Sequence, residues 1–240
     1  MGIFLLTEFC FSVVKDKHVI SFSTQVKSRH VLHLTSDPSV LFFKFKESLN
    51  GPILYQHDLD RLTSSLEFDH SFSRTSRFTA FYGCVGYKYG STEHIARPVN
   101  TNPVIYELYK LICGLYPNLE FINSILVNYY PGNSSYLPFH ADDEDEIHPE
   151  SFIFTLSLGS SRQMGFRFAG SRRALCWATL NHGDLIAFSR KSQDVFEHCI
   201  RSAVAGSQIG VRDTDTDGDT AAVLFNYRVS LTFRLMDRRV

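Results

Sequence analysis

From residue 121 to residue 236 apolar and polar positions alternate with the period of a β-strand. The alternation falls into seven stretches, "FINSILVNYY", "SFIFTLSLG", "QMGFRFAG", "RRALCWATL", "DLIAFS", "VFEHCI" and "AAVLFNYRVSLTFRLM", parted by Gly, Pro, Asn and Ser. So many strands with turn residues between them imply a β-sandwich or barrel. Earlier in the chain the period changes. In "NTNPVIYELYKLICG", Asn102 can cap, Pro103 suits the first turn, and Val104, Ile105, Leu108, Leu111 and Ile112 recur at helical spacing before Gly114. Its apolar stripe should pack on the sheet. Residues 36–52, "SDPSVLFFKFKESLNGP", read as another helix, capped by Asp37, opened by Pro38 and stopped by Gly51-Pro52.

The opening "MGIFLLTEFCFSVVK" reads as a buried strand. It is too short to span a bilayer, carries Glu8 inside its apolar run and lacks the basic start of a secretion signal. Residues 205–222, "AGSQIGVRDTDTDGDTAA", read as an exposed loop between two strands. Asp213, Asp215, Asp217 and Gly218 there begin like a calcium loop, but the twelfth position holds Leu224 where a bidentate Glu is needed. A solvated turn is the better reading.

Composition adds bounds rather than a function. A chain of 240 residues with 44 % hydrophobic and 20 % charged residues can bury one substantial core, and 21 Phe and 11 Tyr suit a β-rich one. The net charge of -1 and pI near 6.8 mean that any affinity for nucleic acid must come from a local basic patch. Five scattered Cys without a C-x-x-C pair point to an intracellular, reducing compartment (cytoplasmic or nuclear) rather than secretion.

The chemistry-bearing positions gather late in the chain. "FHADDEDEIHPE", residues 139–150, places His140 two residues before Asp142, so on a strand both would face one point. An imidazole and a carboxylate supply two of the three ligands of a facial triad for non-haem Fe(II). In "RVSLTFR", Arg228, Ser230, Thr232 and Arg234 share one strand face, and Val229, Leu231 and Phe233 share the other. Two inward arginines can grip the ends of a short dicarboxylate, since the guanidinium fork pairs with carboxylates bidentately. In "VNYYPG", Asn128 and Tyr130 share a face with Leu126 and offer an amide and a phenol to the same ligand.

Taken in order, "VNYYPG", "HADDE", "LNHGDLIAF", "FEHCI" and "RVSLTFR" resemble the AlkB family of Fe(II)- and 2-oxoglutarate-dependent oxygenases. "PFHADDE" is especially similar to the AlkB domains of RNA viruses, and the resemblance covers about residues 74–236. It implies an α+β fold with a double-stranded β-helix (jelly-roll) core and flanking N-terminal helices. Residues 71–240 would form the dioxygenase domain, and residues 1–70 an extension packed on it. The resemblance also makes His140, Asp142 and His198 the iron ligands, and it leaves His182 as a turn residue. Asn128, Tyr130, Arg228, Ser230 and Arg234 would surround 2-oxoglutarate, with Arg228 on the distal carboxylate and Arg234 toward the metal. Ser230 stands where the family usually has Asn, which removes a donor.

Upstream, "SRFTAFYGCVGYKYGS" resembles the family's substrate lid, so Tyr82, Tyr87 and Tyr89 are candidates to line the base. Glu144 matches a position whose acid contacts the exocyclic amine of the base. Arg77, Arg172 and Arg173 are candidates for phosphates, whereas Asp145, Glu146 and His148 read as solvated turn. The activity implied is oxidative demethylation of 1-methyladenine- and 3-methylcytosine-type bases in single-stranded RNA or DNA, RNA preferred. 2-Oxoglutarate and O2 are consumed, the methyl leaves as formaldehyde, and the enzyme is expected to act as a monomer. The alternatives are a protein or small-molecule hydroxylase on the same scaffold and a metal-free binding module.

Overall fold

The structure, a computed structural model, describes the strands at 12–15, 18–22, 29–33 and 42–45, then residues 56–89, 92–115, 122–203, 211–214, 220–223 and 225–237. The alternating stretches become strands of two facing sheets. The first is built of β1 (Ser12–Lys15), β2 (His18–Phe22), β3 (Arg29–His33), β4 (Phe42–Phe45), β5 (His70–Phe72), β6 (Arg77–Gly83), β9 (Ser124–Tyr130), β11 (Phe152–Gly159), β14 (Leu185–Ser189) and β18 (Arg228–Arg234). Their spatial order is β1-β2-β3-β4-β14-β11-β18-β9-β6-β5. The second sheet, in order β10-β15-β12-β13, holds β10 (Leu137–His140), β12 (Arg162–Phe168), β13 (Cys176–Leu180) and β15 (Phe196–Ile200). Two facing antiparallel sheets of this kind, with helices on one side, are the α+β jelly roll expected.

Period-2 alternation divides the interior into two cores. Val229, Leu231 and Phe233 of β18 join Ile125 and Val127 of β9 on the outer face of the large sheet, under α1 (Gln56–Ser65) and α2 (Pro103–Leu115). Helix α2 starts where the sequence predicts, because Asn102 Oδ1 accepts hydrogen bonds from the backbone N–H groups of Val104 (3.1 Å) and Ile105 (3.2 Å). Phe166, Phe188, Phe196 and Ile153 fill the space between the sheets.

Three local expectations are corrected. Within 36–52, Phe42–Phe45 is a strand hydrogen-bonded to both β3 and β14, since "FFKF" suits a pleated surface and β14 offers an open edge; the remainder lies outside the described residues. Residues 205–222 contain a two-stranded ladder, β16 (Val211–Thr214) with β17 (Thr220–Val223), rather than only a loop. "AAVLFNYRVSLTFRLM" divides into β17 and β18 in different sheets, because the chain bends at Asn226 where Phe225 stacks on His182. Of the opening apolar stretch, Ser12–Lys15 is a strand, and the burial assigned to it lies outside the described residues. Among the described residues no helix is long and apolar enough to cross a membrane.

Candidate metal and co-substrate site

Strands β10 and β15 pair so that His140 stands opposite His198, their ring centroids 4.2 Å apart. Asp142 does not share a strand with His140, which ends β10. The chain turns there and still brings Asp142 Oδ1 to 3.5 Å from His140 Nε2. Ligand atoms of His140, Asp142 and His198 all lie within 4.8 Å of one another, a grouping able to hold a metal ion. Two His and one carboxylate on one side of an ion form the donor set suited to Fe(II) with positions left open.

The other edge of each imidazole is already committed. His140 Nδ1 lies 2.9 Å from Pro138 O, and His198 Nδ1 lies 3.0 Å from Gln193 Oε1. Gln193 Oε1 also accepts the backbone N–H of Asp142 at 3.2 Å. That second bond identifies the atom as oxygen, so His198 Nδ1 must carry the proton and Nε2 presents its lone pair. Gln193 is buried in a short 3₁₀ turn, and its amide nitrogen is tied to Ser192 Oγ at 2.9 Å. Nothing in the sequence pattern marked Gln193, because its role arises from a turn that only the folded chain brings under the ligands.

Charge at the site is arranged around Arg234. Its Nη2 pairs with Asp142 Oδ2 at 2.7 Å, and its Nη1 lies 3.6 Å from Glu144 Oε1. Burial alone would push the Asp142 carboxyl up, but Arg234, followed by the two imidazoles, holds it well below the usual carboxylate range. Glu144 goes the other way, raised by burial and by the charge of Asp142 against the pull of Arg234. Burial, then the nearby His140, lowers His198 to about 3, so it is a neutral ligand throughout the physiological range.

The same cluster borders a cavity. Leu126, Asn128 and Tyr130 of β9, and Arg228, Ser230, Thr232 and Arg234 of β18, all line it together with His140, Asp142 and His198. Arg228 and Tyr130, and Ser230 and Asn128, are directly paired residues of one ladder. Arg228 is fully buried. Its Nη2 bonds Ser157 Oγ at 2.8 Å and its guanidinium lies 5.2 Å from the Tyr130 ring centre, but Nε and Nη1 have no hydrogen-bond partner among the described residues. A buried cation with open donors calls for an anion, and a carboxylate of 2-oxoglutarate has the shape and charge to meet it.

Other expected contacts are moved. Tyr82 does not line the cavity: β6 alternation turns Arg77, Thr79 and Phe81 inward and leaves Tyr82 in the core under α2, within 3.5 Å of the Asn102 amide. Arg77 is therefore no surface phosphate contact; it is buried, donates to Asn128 Oδ1 and lies 4.5 Å over the Phe72 ring. The strand β7 (Tyr87–Tyr89) pairs with β8 (Thr92–His94), which sets Tyr87 opposite the cavity-lining His94. The side chains of Tyr87 and Tyr89 lie outside the described residues. Arg172 and Arg173 are exposed on the β12–β13 turn. Glu146, expected in solvent, is buried, because Asp237 N–H bonds to its carbonyl and Ile147 bridges to Met236; His148 is half-buried. His182 is a turn residue as expected, its Nδ1 accepting the Gly159 N–H at 3.0 Å.

Comparison with known proteins agrees with this geometry. A family model described as the 2OG-Fe(II) oxygenase superfamily matches residues 64–234. The chain is 27 % identical over 131 residues to the DNA oxidative demethylase ALKBH2 of Homo sapiens, which covers 52 % of this chain and 49 % of that protein. It is 29 % identical over 142 residues to the protein of the same name in Mus musculus, covering 58 % of each. It thus spans about half the length of these relatives. The solved structure of OsALKBH1 shares the fold, with a TM-score of 0.51 at 16 % identity over 85 % of this chain and 99 % of that one. With a family match over most of its length and a two-histidine, one-carboxylate cluster beside a buried arginine, the chain belongs to the 2OG-Fe(II) oxygenase superfamily.

Proposed function

We propose that the protein oxidatively demethylates N-methylated nucleobases of the 1-methyladenine and 3-methylcytosine type in single-stranded nucleic acid, RNA preferred. The observation that carries this reading is the meeting, in one cavity, of the His140, Asp142 and His198 cluster with the buried, open guanidinium of Arg228. The naming of similar proteins as DNA oxidative demethylases supports the nucleic-acid substrate. The preference for RNA rests on the likeness of "PFHADDE" to viral AlkB domains. An unpaired base also avoids the cost of unstacking.

In this reading His140, Asp142 and His198 hold Fe(II), which with 2-oxoglutarate and O2 supplies the oxidation that frees the methyl as formaldehyde. Arg228 fixes the distal carboxylate of 2-oxoglutarate, with Ser230, Asn128 and Tyr130 along its flank. Arg234 keeps Asp142 ionised and aimed. Glu144 borders the same cavity, where a cationic methylated base would favour its carboxylate form and hold the base by charge. Tyr87 and Tyr89 stay candidates for the wall facing the base. In this reading the enzyme is monomeric and works in an intracellular, reducing setting, where Cys84, Cys176 and Cys199 stay thiols. Pairing of β4 with β14 supports residues 1–70 as an extension of the 71–240 domain.

Gln193 acts through the ligands as a positioning residue. Gln193→Leu is expected to weaken Fe(II) binding about 10- to 100-fold, and Gln193→Glu, which keeps an acceptor oxygen, is expected to recover most of it. The readout is the Fe(II) midpoint of the charge-transfer absorption that forms anaerobically with 2-oxoglutarate. An unchanged midpoint in Gln193→Leu contradicts the role. The substrate reading is tested by formaldehyde release from methylated single-stranded RNA against duplex DNA of the same sequence. Equal rates on the two would overturn the strand preference.

A further inference from the structure

The four-stranded sheet carries the metal-ligating imidazoles on one face and a second feature on the other. Outward positions of three strands form a row there, with Gly165 of β12 paired to Cys199 of β15 on one side and to Trp177 of β13 on the other. Gly165 is the seat of the indole: a Cβ at that position would come within 2.5 Å of a Trp177 ring carbon. Trp177 therefore lies across the sheet with its ring 6.3 Å from that of Phe139 on β10, yet it stays 40 % exposed. Two guanidinium groups cover these rings, Arg201 at 4.6 Å over Trp177 and Arg167 at 4.3 Å over Phe139. Arg167 is neutralised by Glu197 at 2.5 Å. Arg201 is exposed and has no acidic partner among the described residues.

We propose that this groove binds the unpaired nucleotides next to the target base: Arg201 leaves the Trp177 ring for a phosphate, and the ring face it uncovers stacks on a base. The inference rests on the nucleic-acid reading above and adds a second contact surface to it. A flat aromatic surface beside an unneutralised guanidinium meets the two features every nucleotide has, a π face and a phosphate. An apolar protein partner would leave the Arg201 charge buried and unmatched. The groove is open to solvent and offers about 530 Å³ along the sheet face. Leu137 and Ile200 line both this groove and the metal cavity, so the two share the β10–β15 wall.

Trp177 is the only tryptophan in the chain, so its fluorescence reports on the groove alone. An unmethylated single-stranded oligonucleotide of about ten nucleotides is expected to quench it. By anisotropy of a labelled strand, Trp177→Ala is expected to weaken binding about ten-fold. Arg201→Gln, which removes the charge and keeps a polar side chain at the ring, is expected to lower the slope of log K against log salt by about 0.7. Unchanged fluorescence with the oligonucleotide, together with wild-type affinity and salt slope in both variants, overturns the proposal and assigns the groove to a protein partner or to sheet cover. If formaldehyde is still released from methylated strands in that case, the groove fails and the demethylase reading stands. Quenching by the strand without formaldehyde release would uphold the groove and sink the reaction.

Discussion

Asp142→Asn is expected to bring Fe(II)-dependent turnover of 2-oxoglutarate to background and to cost the apo fold about 3–5 kcal/mol. Both effects come from one carboxylate with two neighbours. Its Oδ1 faces the His140 imidazole, and its Oδ2 pairs with Arg234, a contact in which both side chains are almost fully buried. Removing the negative charge takes away the closest carboxylate from a buried guanidinium, with Glu144 farther off at 3.6 Å. The double variant Asp142→Asn with Arg234→Met separates the two effects, since deleting both charges relieves the burial penalty without restoring a metal ligand. Urea unfolding should show stability regained, while Fe(II) titration should show binding still lost. Full Fe(II) affinity in Asp142→Asn alone would remove Asp142 from the ligand set.

Arg228→Met separates stability from function in the opposite sense. With two of its guanidinium nitrogens open and its side chain fully buried, Arg228 is held in the apo protein at a cost, so a methionine of similar length should leave the apo melting temperature unchanged or raise it. The affinity for 2-oxoglutarate should fall about 10- to 150-fold, the range for losing a hydrogen bond to a charged group. The stabilisation that saturating 2-oxoglutarate gives the wild type, about 2.7 kcal/mol at a hundred times Kd, should shrink accordingly. Thermal melts with and without 2-oxoglutarate read both quantities. A full ligand-induced shift in Arg228→Met would place the distal carboxylate elsewhere.

What the sequence made legible follows from where local pattern and tertiary environment agree. The alternation in "RVSLTFR" identified both faces of β18, because arginines on the inner face and apolar residues on the outer one leave a single register. Asn102 and Pro103 likewise marked the start of α2, since capping is a local property. "FFKF" misled because a short aromatic run flanked by Pro and Gly suits either period, and only the open edge of β14 decides for a strand. Tyr82 was placed on the wrong side by one residue of alternation, which in a strand reverses the face entirely. Within "DDEDE", Asp145 and Glu146 read alike as solvated turn, yet a backbone bridge at Ile147 buries Glu146, while Arg234 lies against Asp142 and Glu144. Gln193 and the Gly165–Trp177 seat depend on cross-strand neighbours and carry no local signal.

The most direct test of the account is a mass-spectrometric assay of the purified protein with Fe(II), 2-oxoglutarate, O2 and a panel of oligonucleotides bearing 1-methyladenine or 3-methylcytosine. The account predicts succinate and demethylated base in equal amounts, faster on single strands than on duplexes, and neither product from Asp142→Asn. Succinate formed at the same rate with and without methylated oligonucleotide, and with every methyl group retained, would contradict it.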